Sequence, residues 1–127
     1  MKLRGRLSAL AVSAALAISF AVVPATSADA ATKCTANRYG PGGYSACVGY
    51  IQTMLNEWAS TYGIAKISVD NSFGNATTSR VKEFQGDMWN PQLAADGWVG
   101  PATWQALCGY GRTGSAAGKA AATKAGC

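Results

Sequence analysis

The sequence predicts an all-α fold: a small three-helix bundle with two repeated turn-helix units, stapled by two disulfides. Three observations carry this. Apolar residues recur at helical spacing in two separate stretches. An eight-residue motif occurs twice at a constant offset of 26 positions, Asp70-Asn71-Ser72-Phe73-Gly74-Asn75-Ala76-Thr77 and Asp96-Gly97-Trp98-Val99-Gly100-Pro101-Ala102-Thr103. Cys34, Cys47, Cys108 and Cys127 form an even set in a chain that reads as exported, where cysteines pair.

The first 30 residues are expected to be a secretion signal peptide. Lys2, Arg4 and Arg6 precede an apolar run from Ala9 to Val23, and Ala28-Asp29-Ala30 has the small-x-small pattern of a cleavage site. The run is too short and alanine-rich for a membrane span. Ala31-Thr32-Lys33 before Cys34 does not resemble a lipoprotein processing site. The expected product is secreted, extracellular or wall-associated, with no membrane contact once the signal is removed. Cleavage leaves 97 residues, enough for one domain, and lowers the formal charge from +5 to +3. The basic residues are scattered, which argues against a nucleic-acid partner.

Residues 31–45 form a Gly-rich N-terminal arm that includes Arg38-Tyr39-Gly40-Pro41-Gly42-Gly43-Tyr44, too rich in glycine for a helix. The helical domain spans 46–110. Val48, Ile51, Leu55, Trp58 and Tyr62 step by three and four, which predicts a first helix with Ser45 as N-cap and Gly63 as stop. Ile64 to Val69 reads as a short connector. After the first copy of the motif, Thr77, Val81, Phe84 and Met88 mark a second helix, which Asn90-Pro91 should end. Gly100-Pro101 opens a third, because proline at the first helical position gives up only a donor that would be orphaned anyway. That helix is expected to run through Trp104 and Leu107 to Cys108, with Gly109-Tyr110-Gly111 closing the ordered part. The tail, 111–127, is rich in Ala, Gly and Lys and ends in Cys127; its composition suggests disorder.

Within the repeat, Asp70, Gly74, Thr77, Asp96, Gly100 and Thr103 are expected to be structural turn residues. Each aspartate accepts backbone N–H groups of its own turn, and each glycine caps a helix. Phe73 and Val99 act as apolar plugs. Disulfide connectivity is open among three pairings. Cys47–Cys108 with Cys34–Cys127 is preferred, because each then closes a long loop worth roughly 4 kcal/mol.

Catalysis is not expected. The chain has no histidine, and with the cysteines paired there is no nucleophile-base couple. No C-x-x-C pair exists, so neither metal nor cofactor is expected. Glu83 and Asp87 share a helix face at the spacing a glycosidase pair might borrow, but that pattern is commonly a solvated face. Gly114 to Lys119 is one residue short of a phosphate loop and follows no strand. Asn75-Ala76-Thr77 is a sequon inside a helix turn, and so an accidental one.

Val48-x-x-Ile51-Gln52-x-x-Leu55-Asn56, the first turn, Val81-x-x-Phe84-Gln85, and Asp96 through Trp104 to Leu107 together resemble the three-helix peptidoglycan-binding domain family found in cell-wall hydrolases. The likeness covers roughly residues 46–108. Asn71 stands where a glycine is common and Asn75 where a proline is usual; the Gly86–Ala95 connector is longer and more aromatic. No catalytic module is expected beside the domain. The resemblance implies a secreted, non-catalytic monomer that binds bacterial peptidoglycan, through glycan strand or stem peptide, alone or beside a separate cell-wall hydrolase. The alternatives are an inhibitor-like protein-interaction module on the same scaffold and, less favoured, a minimal wall hydrolase. Sugar faces stack on aromatic rings, so Trp98 is the first binding candidate, Trp89 the second, and Tyr44 a further one. Asn71, Arg80 and Gln85 are expected polar companions.

Overall fold

The computed structural model describes residues 32–89 and 92–127. The expected signal peptide and the Asn90-Pro91 helix stop lie outside the described residues.

Among those residues the chain forms a 3-10 turn, Cys34–Ala36, and four α-helices: α1 Ala46–Thr61, α2 Asn75–Asp87, α3 Pro101–Thr113 and α4 Ala116–Ala125. The fold is all-α, but the expected three-helix bundle is wrong by one helix. α4 lies in the tail whose composition suggested disorder, and it packs against both α1 and α3. Low complexity misled because the segment's alanines are the best helix formers, and a helix of small residues can approach its neighbours closely. Gly118, Ala121, Ala122 and Ala125 form its buried face. Ser115 caps its start, and Gly126 ends it in the left-handed conformation (φ 93°).

α3 also runs past its expected end, through Gly109 and Gly111. Gly111 is required by the close approach of α4: a Cβ there would lie 2.7 Å from the Met54 sulfur and 2.9 Å from Ala122 Cβ. Glu57 on α1 fastens the other end of α4, accepting hydrogen bonds from the Ser115 N–H (2.9 Å) and the Ser115 hydroxyl. Burial tends to raise the Glu57 pKa. The two Ser115 bonds, the Lys66 charge and the Gly118 N–H outweigh it and hold the carboxyl below its usual range.

The preferred disulfide pairing is likewise corrected. The bonds are Cys34–Cys47 and Cys108–Cys127, with sequence separations of 13 and 19. The long-loop argument failed because the tail folds back as α4 and brings Cys127 to α3, while the 3-10 turn brings Cys34 to the start of α1. Loops this short contribute about 3 kcal/mol each in the chain-entropy model.

The core joins Val48, Ile51, Met54, Leu55 and Trp58 of α1 to Phe73, Val81, Phe84, Val99, Trp104 and Leu107. Tyr62, on the expected apolar stripe of α1, is instead 56% exposed. The connector after α1 is held by Asn56, whose amide pairs with both backbone groups of Ile67 (2.8 and 2.9 Å).

The glycine-rich arm straps the two turns together. Tyr39 exchanges both backbone hydrogen bonds with Val99 (3.0 and 2.8 Å). Gly42 N–H donates to the Phe73 carbonyl, Phe73 N–H to Gly43, and Ser45 N–H to Asn71. The arm therefore grips both plug residues by their backbones, and these contacts are isolated bridges rather than strands.

Candidate functional site

Each copy of the repeated turn closes around one buried glutamine from the preceding helix. Gln52 of α1 donates through Nε2 to Asp70 Oδ1 (2.8 Å), the Ser72 carbonyl (3.0 Å) and Thr77 Oγ1 (3.0 Å). Its Oε1 accepts from the N–H groups of Asp70 and Asn71, both at 3.0 Å. Gln85 of α2 repeats this, donating to Asp96 Oδ1 (3.1 Å), the Trp98 carbonyl (2.8 Å) and Thr103 Oγ1 (3.1 Å) and accepting from Gly97 N–H (2.9 Å). Both glutamines are 1% exposed. A primary amide suits the role because it offers donors and an acceptor from one rigid plane, so turn and helix start are satisfied together.

The aspartates complete the lock. Asp70 Oδ1 also takes the Ser72 N–H (3.0 Å), and Asp96 Oδ1 the Trp98 N–H (2.9 Å). The Gln52 amide and then the Ser72 N–H hold the Asp70 carboxyl below its ordinary range. For Asp96 the largest cause is the Trp98 N–H; slight burial opposes it, and Gln85 and Arg38 add to the lowering. Gly74 and Gly100 are the N-caps of α2 and α3.

On this shared frame the second turn carries an exposed aromatic cleft. Trp98 is 40% exposed, with its ring laid on Gly40, where a Cβ would sit 2.2 Å from Cε3. The Arg38 guanidinium stacks 4.9 Å from the ring centroid and lies 3.6 Å from Asp96 Oδ2. Ring and guanidinium border a cleft of about 260 Å³ whose other walls include Gln92, Leu93, Pro101 and Ala102. The Arg38–Asp96 pair is exposed, so it is worth at most about 1 kcal/mol and exchanges readily with another anion.

The six sequence-predicted binding residues do not converge on one spot. Trp89 is 85% exposed, and its bridge to Gln92 puts it at the margin of the Trp98 cleft. Tyr44, 76% exposed, pairs with Ser72 at the first turn, the other end of the arm. Gln85 is buried, its amide wholly engaged in the turn lock. Asn71 is a turn residue at φ 66°, its side chain against Gly49 of α1. Arg80 is bound to Glu83 (2.9 Å) and to the Ala65 carbonyl (2.6 Å), its side chain only 13% exposed.

Sequence reasoning missed Arg38, counted only as one of several scattered cations; its alignment with Trp98 depends on the arm's course. It also missed the structural role of Gln52 and Gln85. A signal was present: each glutamine directly follows a buried apolar residue, Ile51 or Phe84, in the helix before its turn. Among the described residues no group of three or more His, Cys, Asp or Glu is placed to hold a metal ion.

A disulfide-bonded helical domain with two satisfied turn locks and an open aromatic cleft beside the second has the form of a small binding module. Residues 46–107 match the family model described as "Putative peptidoglycan binding domain". The matched span takes in α1, both turns, α2 and the first half of α3; the arm and α4 lie outside it. No curated protein and no solved structure gives a significant match.

Proposed function

We propose that the protein is a secreted, non-catalytic module that binds bacterial peptidoglycan through the face around its second turn. The family match over residues 46–107 carries this reading. The Trp98 cleft supports it chemically. An indole face suits the apolar face of a sugar ring or a peptide side chain, and Arg38, weakly held by Asp96, can turn to a stem-peptide carboxylate. Leu93, Pro101 and Ala102 add apolar contact. Residues 1–30 have the composition of an export signal, which would bring the domain to the wall.

Each carboxylate among the described residues already accepts a hydrogen bond from the protein. Asp70 and Asp96 hold turns, Glu57 holds α4, Glu83 holds Arg80, and Asp87 accepts from the Trp58 indole. Co-sedimentation with purified insoluble peptidoglycan tests the proposal. The protein is expected in the pellet at physiological salt without release of soluble muropeptides. A protein that stays in the supernatant at low salt contradicts the reading, and muropeptide release contradicts its non-catalytic part.

A further inference from the structure

A second cleft, of about 420 Å³, opens between the C-terminal turns of α1 and α2, lined by Trp58, Tyr62, Ile64, Glu83, Gly86 and Asp87. Neither turn lock uses it, and it shares no lining residue with the Trp98 cleft. Its chemistry is of the opposite sign.

Four features favour a cation here. Tyr62 offers an exposed ring over the cleft, tilted against Trp58 with centroids 6.1 Å apart. Aromatic faces attract ammonium groups. Asp87 accepts the Trp58 indole N–H at Oδ2 (3.2 Å), and among the described residues its second oxygen accepts no hydrogen bond. Glu83 holds Arg80 through Oε2, and its Oε1 is free in the same sense. Both helices end at the cleft, and helix C-termini carry partial negative charge.

The Arg80 guanidinium does not line the cleft. Arg80 is pinned between Glu83 and the Ala65 carbonyl, leaving Asp87 as the unbalanced charge. Tyr110 registers that charge from behind Tyr62, to which its hydroxyl is hydrogen-bonded (3.3 Å). Burial, that hydrogen bond and the Asp87 carboxylate push Tyr110 up to about 12.

We infer that this cleft binds a primary ammonium group carried on an alkyl chain, with Asp87 and Glu83 accepting its N–H bonds and the Tyr62 ring against its charge. The inference deepens the peptidoglycan reading and rests on it only for the identity of the polymer. There, the amine is the free side-chain amino group of a stem peptide that has not been crosslinked. The domain would then hold a carboxylate at Arg38 and an amine at Asp87, and would favour uncrosslinked wall.

Nα-acetyl-lysine amide, which has an ammonium and no carboxylate, tests the cleft without the polymer. Titration is followed at the Trp58 indole N–H by NMR, beside the same compound acetylated on its side-chain nitrogen. Saturable shifts with the first and none with the second are expected. Asp87→Asn keeps an acceptor for the indole and is expected to weaken binding about tenfold, the scale of one hydrogen bond to a charged group. Equal response to both compounds, no response to either, or an unaffected Asp87→Asn variant overturns the inference.

A second arm compares native peptidoglycan with peptidoglycan whose amines have been acetylated. Acetylation makes the polymer more anionic, so simple attraction to a basic domain would strengthen retention. A loss of about fivefold or more supports the ammonium site. Equal or greater retention removes the stem-peptide amine as its ligand. Failure to retain either polymer counts against the peptidoglycan reading, and the lysine-amide titration still decides the cleft.

Discussion

The two copies of the turn share a frame and differ in how they fill and decorate it. Three residues before the locking glutamine, α1 has Gly49 and α2 has Lys82; next to the aspartate, the first turn has Asn71 and the second has Gly97. In the first copy Asn71 reaches into the space beside Gly49, where a Cβ would lie 2.0 Å from its Oδ1. In the second copy the helix supplies the bulk instead: a Cβ on Gly97 (φ 78°) would meet Lys82 and Thr78, both at 3.2 Å. The same space is filled from opposite sides. Two residues beyond each aspartate, the first copy has Ser72 and the second Trp98, and only the second copy gains a ring with a cation stacked on it. Retained hydrogen bonding with diverged surfaces indicates that the lock serves folding and the exposed positions are free for binding.

If both locks serve folding alike, Gln52→Ala and Gln85→Ala should be the most damaging changes. Each leaves a buried threonine hydroxyl and the backbone groups of its turn without their partner, at a cost of about 3 kcal/mol or more. Denaturant unfolding is expected to give similar losses for both; a loss confined to one copy would break the equivalence.

The reciprocal filling predicts a coupling. Gly49→Ala should destabilise by about 1–2 kcal/mol through overpacking against Asn71. In an Asn71→Gly background the same change should be neutral or stabilising, since alanine is the better helix former by about 1 kcal/mol. A double-mutant cycle on thermal or denaturant unfolding reads this, and additivity would contradict it.

The smallest effect is on proton affinity. Asp70 and Asp96 are both held below the usual carboxylate range, so their contribution to stability is fully present above the ordinary aspartate pKa of about 4 and is lost as pH falls through the lowered folded values. Arg38 touches only the second copy. Arg38→Gln should therefore raise the Asp96 pKa and leave Asp70 unmoved in an NMR titration. A shift at Asp70 would mean the two turns are not electrically separate.

Much of this frame is legible in the sequence, because its devices are local. Ser45, Gly100-Pro101 and the apolar stripes of α1 and α2 act over one or two turns of chain. The amides of Gln52 and Gln85 are harder to read: their partners lie 18 and 11 residues away and beyond, so a buried role looks the same as a surface polar one. α4 and the disulfide pairing were misread for a common reason. Glu57, Ser115, Gly111 and Gly118 only make sense once α4 lies across α1 and α3. Tyr39 and Tyr110 had no sequence-predicted core role. They pack edge-on against Trp104 and Phe84, contacts set by the arm and by the length of α3.

One turn frame serves folding in both copies, and the proposed wall contact belongs to the second copy alone. Exchanging the diverged position tests it most directly: Trp98→Ser gives the second copy the residue of the first, and Ser72→Ala serves as the matched change in the other turn. With unfolding midpoints near those of the parent, Trp98→Ser is expected to lower retention on insoluble peptidoglycan about tenfold, the scale of one lost aromatic stacking contact. Ser72→Ala is expected to leave it unchanged. Equal retention of both variants, or loss on changing Ser72 instead, would contradict the account.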